Sequence, residues 1–226
     1  MYEDEIHERF RSVMKMSKFE SPFEVIGIIT GSSNSGIRES GTGRQTPMAP
    51  GLAHPSIEAG NHQGYMEYAL QTARLAAKVS TRFCVGAVLV DADKNEVLST
   101  GYSMEIERDR PGDPGSTHAE QCCLIKVTEM YGLPDDQIET VIPKNTVLYT
   151  TMEPCNERLS GNTPCVERIL KLKNAITAVY VGIREPDTFI SENSGIKRLE
   201  DAGIAVHFVE GMQDRILNVS MMALEK

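Results

Sequence analysis

Blocks of apolar residues with helix or strand spacing predict regular structure from about residue 64 to the end of the chain. Between 66 and 77 the apolar positions recur every three or four residues, which is typical of an amphipathic helix. The first predicted strands form a hairpin, and the later ones alternate with helices. Strands are predicted at 84–90, 96–102, 146–152, 176–183 and 204–209, and further helices at 118–131, 164–173, 195–202 and from 212. This order predicts a three-layer α/β/α domain with a mixed central sheet of about five strands.

The first 63 residues differ in composition from the rest. Residues 1–20 predict a charged amphipathic helix and 23–29 a short strand, but 31–64 is rich in Gly, Ser and Pro and has few bulky apolar side chains. Such a segment cannot bury enough surface to offset its ordering entropy. We therefore predict an N-terminal extension over 1–63, acting as a linker or as an arm laid over another surface, and a folded domain over 64–226.

Composition and charge exclude several classes of protein. The 226 residues are 40% hydrophobic and 24% charged, which is ordinary for a globular domain, and the formal net charge of −9 disfavours a nucleic-acid partner. No apolar run is long enough for a membrane span, and the acidic N-terminus is unlike a secretory signal, so we expect a cytoplasmic protein, with the nucleus as the other option. Five cysteines in such a chain favour metal binding or catalysis over disulfides.

Three residues at predicted strand-to-helix junctions form a candidate zinc site. His118 opens one helix, Cys155 follows the strand at 146–152, and Cys165 opens the next helix. One imidazole and two thiolates suit tetrahedral Zn²⁺, and three protein ligands leave the fourth position to water, as in catalytic sites. Zinc lowers the pKa of bound water toward about 7, and this water needs a proton carrier. Glu120, in the first turn after His118, can take that role.

Cys122 offers an alternative, because His118 and Cys122 are i, i+4 neighbours that could chelate a metal on one helix. This alternative would leave Cys155 and Cys165 without a role. Cys122 also continues into Leu124 and Ile125 on what looks like a core-facing side of the helix. We therefore favour the set of His118, Cys155 and Cys165.

The order H-x-E…P-C…C is the pattern of zinc deaminases. The stretch from Met152 to Cys165 resembles the zinc loop of the riboflavin-biosynthesis pyrimidine deaminases, where a long loop ending in Thr-Pro-Cys separates the two cysteines. Nine residues intervene here, whereas cytidine and tRNA-adenosine deaminases have a short P-C-x-x-C. The likeness covers about 64–220. Bacterial members carry a further reductase domain for which this chain has no room, so the sequence is most similar to the fungal type.

This resemblance implies a cytidine-deaminase-like fold, a zinc cofactor and a homodimer. It also implies hydrolysis of 2,5-diamino-6-ribitylamino-4(3H)-pyrimidinone 5′-phosphate to 5-amino-6-ribitylamino-uracil 5′-phosphate. The substrate is thus expected to be a small phosphorylated pyrimidine. The His and Lys or Arg with which bacterial relatives hold substrate are not matched in the zinc loop. The residues expected to contact substrate are Arg82, Ala119, Glu153, Asn156, Glu157 and Arg158.

Among these residues, the two arginines are candidates for the phosphate, because guanidinium groups bind phosphate oxygens in bidentate fashion. A solvated surface role is the alternative for each arginine. Two alternatives to the function also stand. One is a nucleotide deaminase of the dCMP type or a tRNA adenosine deaminase, and the other is a non-catalytic, zinc-stabilised subunit.

Overall fold

The computed structural model describes residues 54–79, 82–106, 117–158, 161–185 and 194–224. The helix predicted at 1–20 and the strand predicted at 23–29 lie outside these ranges. Within them, no helix combines the length and the apolar character that crossing a membrane requires.

A five-stranded mixed sheet forms the centre of the structure, in the order β2-β1-β3-β4-β5. β1 is antiparallel to β2 and β3, whereas β3, β4 and β5 are parallel to one another. The predicted fold class is confirmed. The strands are β1 (Gly86–Asp91), β2 (Glu96–Tyr102), β3 (Thr146–Met152), β4 (Ile176–Ile183) and β5 (Ala205–Phe208). The helices are α1 (His62–Ala73), α2 (Ala119–Met130), α3 (Cys165–Leu170), α4 (Gly195–Asp201) and α5 (Gln213–Met221), with a 3₁₀ helix at Asp135–Thr140.

Helices cover both faces of this sheet, and each face has its own core. Successive strand residues point to opposite faces, so Val88 and Val90 of β1 join the core beneath α1 and α5, whereas Ala87 and Leu89 join the core beneath α2, α3 and α4. All six residues of β1 and all seven of β3 are buried. Continuous apolar runs rather than alternating ones are expected for strands covered on both sides.

The first described helix begins two residues before the predicted start. The Asn61 side chain accepts a hydrogen bond from the Gly64 backbone N–H at 2.8 Å and so caps α1, which begins at His62. The apolar periodicity begins only at Met66, so it could not reveal this cap. Ile57 precedes the helix, and its carbonyl accepts a hydrogen bond from the Asn95 side chain at 2.7 Å.

Two glycines let the helices approach the sheet closely. A Cβ at Gly86 would lie 2.0 Å from the Ala69 carbonyl oxygen of α1, and a Cβ at Gly101 would lie 2.1 Å from the Ala119 carbonyl oxygen of α2. Any larger residue at either position must therefore push backbone away from the sheet. The contact at Gly101 bears on the candidate site, because α2 directly follows His118 and carries Glu120 in its first turn.

We expect Gly101→Ala to destabilise the fold by about 2–3 kcal/mol, since the added methyl overpacks the contact between β2 and α2. Urea unfolding measures this effect as a lower midpoint with an unchanged slope. An unchanged midpoint would show that α2 can move away without cost.

Aromatic rings form a ladder across the face beneath α1. Tyr149 of β3 is in register with Tyr180 of β4, and their rings stack with centroids 4.7 Å apart. Tyr65 stacks on Tyr149 at 4.8 Å, and His62 stacks on Tyr180 at 4.2 Å. The Tyr149 hydroxyl lies 2.9 Å from His62 Nδ1. This tyrosine ladder locks the start of α1 to the middle of the sheet.

Candidate metal centre and catalytic cavity

The structure brings His118, Cys155 and Cys165 together at the carboxyl end of β3. His118 Nδ1 lies 3.4 Å from Cys155 Sγ and 3.5 Å from Cys165 Sγ, and all three atoms lie within 4.8 Å of one another. A tetrahedral zinc ion with Zn–N bonds of about 2.0–2.1 Å and Zn–S bonds of about 2.3 Å holds nitrogen and sulfur ligands about 3.5 Å apart. The donor set and its spacing therefore fit zinc.

Backbone contacts place the two sulfurs. The Cys165 N–H donates to Cys155 Sγ at 3.4 Å, and the Val166 N–H donates to the Cys155 carbonyl at 3.2 Å. The Glu153 N–H donates to the Ile183 carbonyl at 2.8 Å, so β4 supports the segment just before Cys155. The cysteines are thus fixed by main-chain geometry and not by long, flexible side chains.

Electrostatics in this cluster favour a bound cation. The hydrogen bond from the Cys165 thiol, together with the neighbouring His118 ring, lowers the pKa of Cys155. The same contact with Cys155 and complete burial raise the pKa of Cys165. Two adjacent sulfurs thus resist ionising together, and a dication is what would stabilise the second thiolate.

Glu120 lies directly beside the cluster. Its Oε2 accepts a hydrogen bond from Cys165 Sγ at 3.4 Å, and its Oε1 accepts one from the Thr150 hydroxyl at 3.3 Å. The side chain is only 4% exposed, and burial raises the pKa of Glu120. Burial favours the protonated form of this carboxyl, which suits a group that takes up and returns a proton. Sequence reasoning did not identify Thr150, which faces Glu120 only through the pairing of β3 within the sheet.

A cavity of about 180 Å³ opens next to these residues. Of the residues expected to contact substrate, Arg82 and Glu153 line it, whereas Ala119 is fully buried at the start of α2. The wall combines polar and apolar side chains. It is formed by Arg82, Phe83, Val85, Ser103, Met104, Thr117, His118, Glu120, Met152, Glu153, Cys155 and Glu185.

The other three expected contact residues follow Cys155 and do not line this cavity in the described part of the chain. Arg198 of α4 donates to Asn156 Oδ1 at 2.7 Å and also to Glu167 of α3. Arg158 Nη1 donates to Gln121 Oε1 at 3.4 Å, and Glu157 is exposed. The loop is thus tied to α3 and α4 on one side and to α2 on the other.

Glu185 is a third carboxyl in the cavity wall, beside Glu120 and Glu153, and the sequence pattern did not reveal it. Its N–H donates to Glu153 Oε2 at 3.3 Å, and burial, with the neighbouring Cys155 and Glu153, raises the pKa of Glu185 to about 8. One signal could have found it. Residues just after adjacent parallel strands converge at one edge of a sheet, and Glu185 follows β4 as Glu153 follows β3.

Taken together, the fold, the His–Cys–Cys cluster and the buried glutamate define a zinc-binding deaminase domain. The chain belongs to the cytidine and deoxycytidylate deaminase family, because residues 59–183 match that family's zinc-binding region. The predicted family and the predicted zinc cofactor are confirmed.

Two curated relatives have sequences similar to this chain. The chain is 40% identical over 146 residues to the diaminohydroxyphosphoribosylamino-pyrimidine deaminase of Schizosaccharomyces pombe, covering 65% of this chain and 31% of that protein. It is 32% identical over 131 residues to the riboflavin biosynthesis protein RibD of Chlamydia trachomatis, covering 58% of this chain and 28% of that one. The chain thus spans about a third of the length of these curated relatives.

The fold is also similar to that of a solved deaminase structure. The Aspergillus oryzae Rib2 deaminase in complex with DARIPP, a C-terminal deletion mutant, superposes with a TM-score of 0.63 and 37% sequence identity. The match covers 72% of this chain and 91% of that one. The fold of the deaminase domain is therefore shared over nearly the whole Aspergillus chain.

Proposed function

We propose that this chain deaminates 2,5-diamino-6-ribitylamino-4(3H)-pyrimidinone 5′-phosphate, releasing ammonia and 5-amino-6-ribitylamino-uracil 5′-phosphate. The observation that carries the proposal is the cluster of His118, Cys155 and Cys165 beside Glu120, at the wall of a cavity that His118, Cys155 and Glu120 line. The likeness to the Schizosaccharomyces and Aspergillus deaminases supports the choice of substrate class.

In this mechanism His118, Cys155 and Cys165 hold zinc, which when bound makes water nucleophilic at neutral pH. Glu120 accepts one proton of the attacking water and passes it to the adjacent ring nitrogen, and it then carries the second proton, from the new hydroxyl group, to the exocyclic nitrogen as the carbon–nitrogen bond breaks. The water oxygen becomes the new carbonyl oxygen, and the amine leaves as ammonia. Burial of Glu120 suits this role, because it raises the pKa of the carboxyl and so favours its protonated form.

Glu153 and Glu185 would recognise the edge of the ring. The proposed substrate has amino groups and a ring N–H as donors, and two adjacent carboxyl groups in the cavity wall supply acceptors. A site built to bind such donors discriminates strongly against rings that lack them. Arg82, in the same wall, is the candidate for the phosphate, and Arg158 on the nearby loop is the second.

The decisive experiment measures ammonia release from the ribitylamino substrate by zinc-loaded protein, beside the ribosylamino form, dCMP and tRNA. We expect turnover of the ribitylamino substrate above all others. Ammonia from dCMP or inosine in tRNA, without activity on the ribitylamino compound, would favour the alternative deaminases. No ammonia from any of them would favour the non-catalytic subunit.

We predict that in assays run well above pH 8, where Glu185 is ionised, Glu185→Gln raises KM about tenfold with a smaller change in kcat, because an amide presents N–H groups to the donors of the ring. Steady-state kinetics test this prediction. Glu96→Gln, an exposed change at the start of β2, is the matched control. Equal KM values for the two variants would contradict the role of Glu185.

Three expectations from the sequence remain proposals. They are the division into an extension (1–63) and a domain (64–226), the homodimer, and the cytoplasmic location. Limited proteolysis, light scattering and cell fractionation test them in turn.

A further inference from the structure

A turn after β2 holds Met104 in a backbone conformation that methionine rarely adopts. Its φ is +63°, in the left-handed region, and the Glu105 N–H donates to the Tyr102 carbonyl at 3.2 Å to close the turn. Glycine or asparagine is the usual residue at such a position. The other described non-glycine residue with positive φ is an asparagine, Asn95, in the β1–β2 hairpin.

Several hydrogen bonds keep the turn in this conformation. The Met104 N–H donates to the Thr117 carbonyl at 2.9 Å, which ties the turn to the segment just before α2. The Ser103 N–H donates to the Val85 carbonyl at 2.9 Å, and the Val85 N–H donates to the Ser103 hydroxyl at 3.0 Å. A strained residue persists only where its surroundings over-determine it, and such residues cluster at functional sites.

A salt bridge completes these restraints. The Glu105 carboxylate accepts from the Tyr102 N–H at 3.3 Å, and it pairs with Lys126 of α2 at 2.6 Å. Both partners of the pair are largely shielded from solvent. The turn is therefore fixed to α2, the helix that carries Glu120.

The strained residue lies in the wall of the catalytic cavity. Met104 lines it together with Phe83, Val85 and Met152, which form the apolar part of the wall. A planar pyrimidine needs apolar contact on its faces while its edge binds polar groups. The polarizable thioether of methionine is well suited to contact an aromatic ring.

We propose that Met104 is a substrate-binding residue whose left-handed backbone holds its thioether against the face of the bound pyrimidine ring. This inference rests on the proposed function. Glycine at this position would relieve the backbone strain but remove the contact of the thioether with the ring. Substitutions can therefore separate the effect on stability from the effect on binding.

The test compares Met104→Gly, Met104→Ala and Met104→Leu in zinc-loaded protein, with Met130→Ala at an exposed methionine of α2 as the control. Calorimetry measures the Kd of the product, 5-amino-6-ribitylamino-uracil 5′-phosphate, and kinetics measure KM. We expect the Gly and Ala variants to weaken product binding and raise KM about tenfold, with kcat little changed. The Leu variant, which keeps apolar bulk, should stay within about threefold.

A thermal melt tests the strain separately. Met104→Gly should melt about 2–4 °C above Met104→Ala, because only glycine adopts positive φ without cost. Product Kd values equal to that of the unaltered protein in both variants would overturn the proposal, as would equal melting temperatures. Unaltered protein that binds product without deaminating substrate contradicts the proposed function alone, whereas a protein that neither binds product nor deaminates substrate overturns both.

Discussion

Replacing Glu120 with Ala will leave zinc bound and lower kcat by ~10²–10⁴-fold, the usual effect of losing a general acid–base group. The Glu120 side chain contacts the Thr150 hydroxyl and Cys165 Sγ, but the candidate metal ligands are three other residues. This variant should therefore keep its zinc content while its turnover falls. Elemental analysis gives the zinc stoichiometry, and ammonia release gives kcat.

Glu120→Gln sharpens the result, because it keeps the size of the side chain and removes only its ability to carry a proton. It should be as inactive as Glu120→Ala. The metal-free form of Glu120→Gln should be no less stable than the metal-free unaltered protein, since the amide fills the same space and burying a carboxyl is itself costly. A Gln variant with a near-normal rate would contradict the role of Glu120.

Replacing Cys165 with Ser will abolish stoichiometric zinc binding and remove the stabilisation that zinc gives the fold. A ligand at a thousand times its Kd stabilises the folded state by about 4 kcal/mol, so chelation should lower the melting temperature of the unaltered protein. The Cys165→Ser variant should already melt at that lower temperature and should not respond to a chelator. Differential scanning calorimetry with and without chelator measures both effects.

Cys122→Ser is the matched control, because Cys122 is also a buried thiol and belongs to the alternative chelate with His118. Its Sγ donates to the Tyr102 carbonyl at 3.5 Å, a contact that a serine hydroxyl can also make. This variant should keep its zinc. Loss of zinc in Cys122→Ser, with zinc retained in Cys165→Ser, would reverse the assignment of the ligands.

The sequence predicted the bounds of three of the five strands for a physical reason, whereas β1, predicted at 84–90, is Gly86–Asp91. The predicted bounds of β2, β3 and β4 agree with the structure, since turn residues and helix starts flank these strands clearly. Strand β5 and helix α3 are shorter than predicted, because apolar residues continue into the turns beyond their ends. Local patterns locate elements well when their boundaries are also local.

The metal cluster could be predicted because its residues lie at recognisable junctions, whereas most of the cavity wall could not. Glu185 lines the cavity only because β4 lies beside β3. Met104 lines it because a turn gives this residue a positive φ, which methionine rarely adopts. The hydrogen bond between Asn156 and Arg198 of α4 likewise joins residues 42 positions apart. Such long-range partners leave no local trace in the sequence.

The tyrosine ladder gives the protein a built-in optical probe. With seven tyrosines and no tryptophan, its near-ultraviolet absorption arises chiefly from phenol rings, three of which stack in the ladder. Near-ultraviolet circular dichroism reports on fixed tertiary packing of this kind. Since no ladder residue belongs to the described cavity wall, this spectrum will follow melting of the core in every variant, whatever the substitution does to the chemistry.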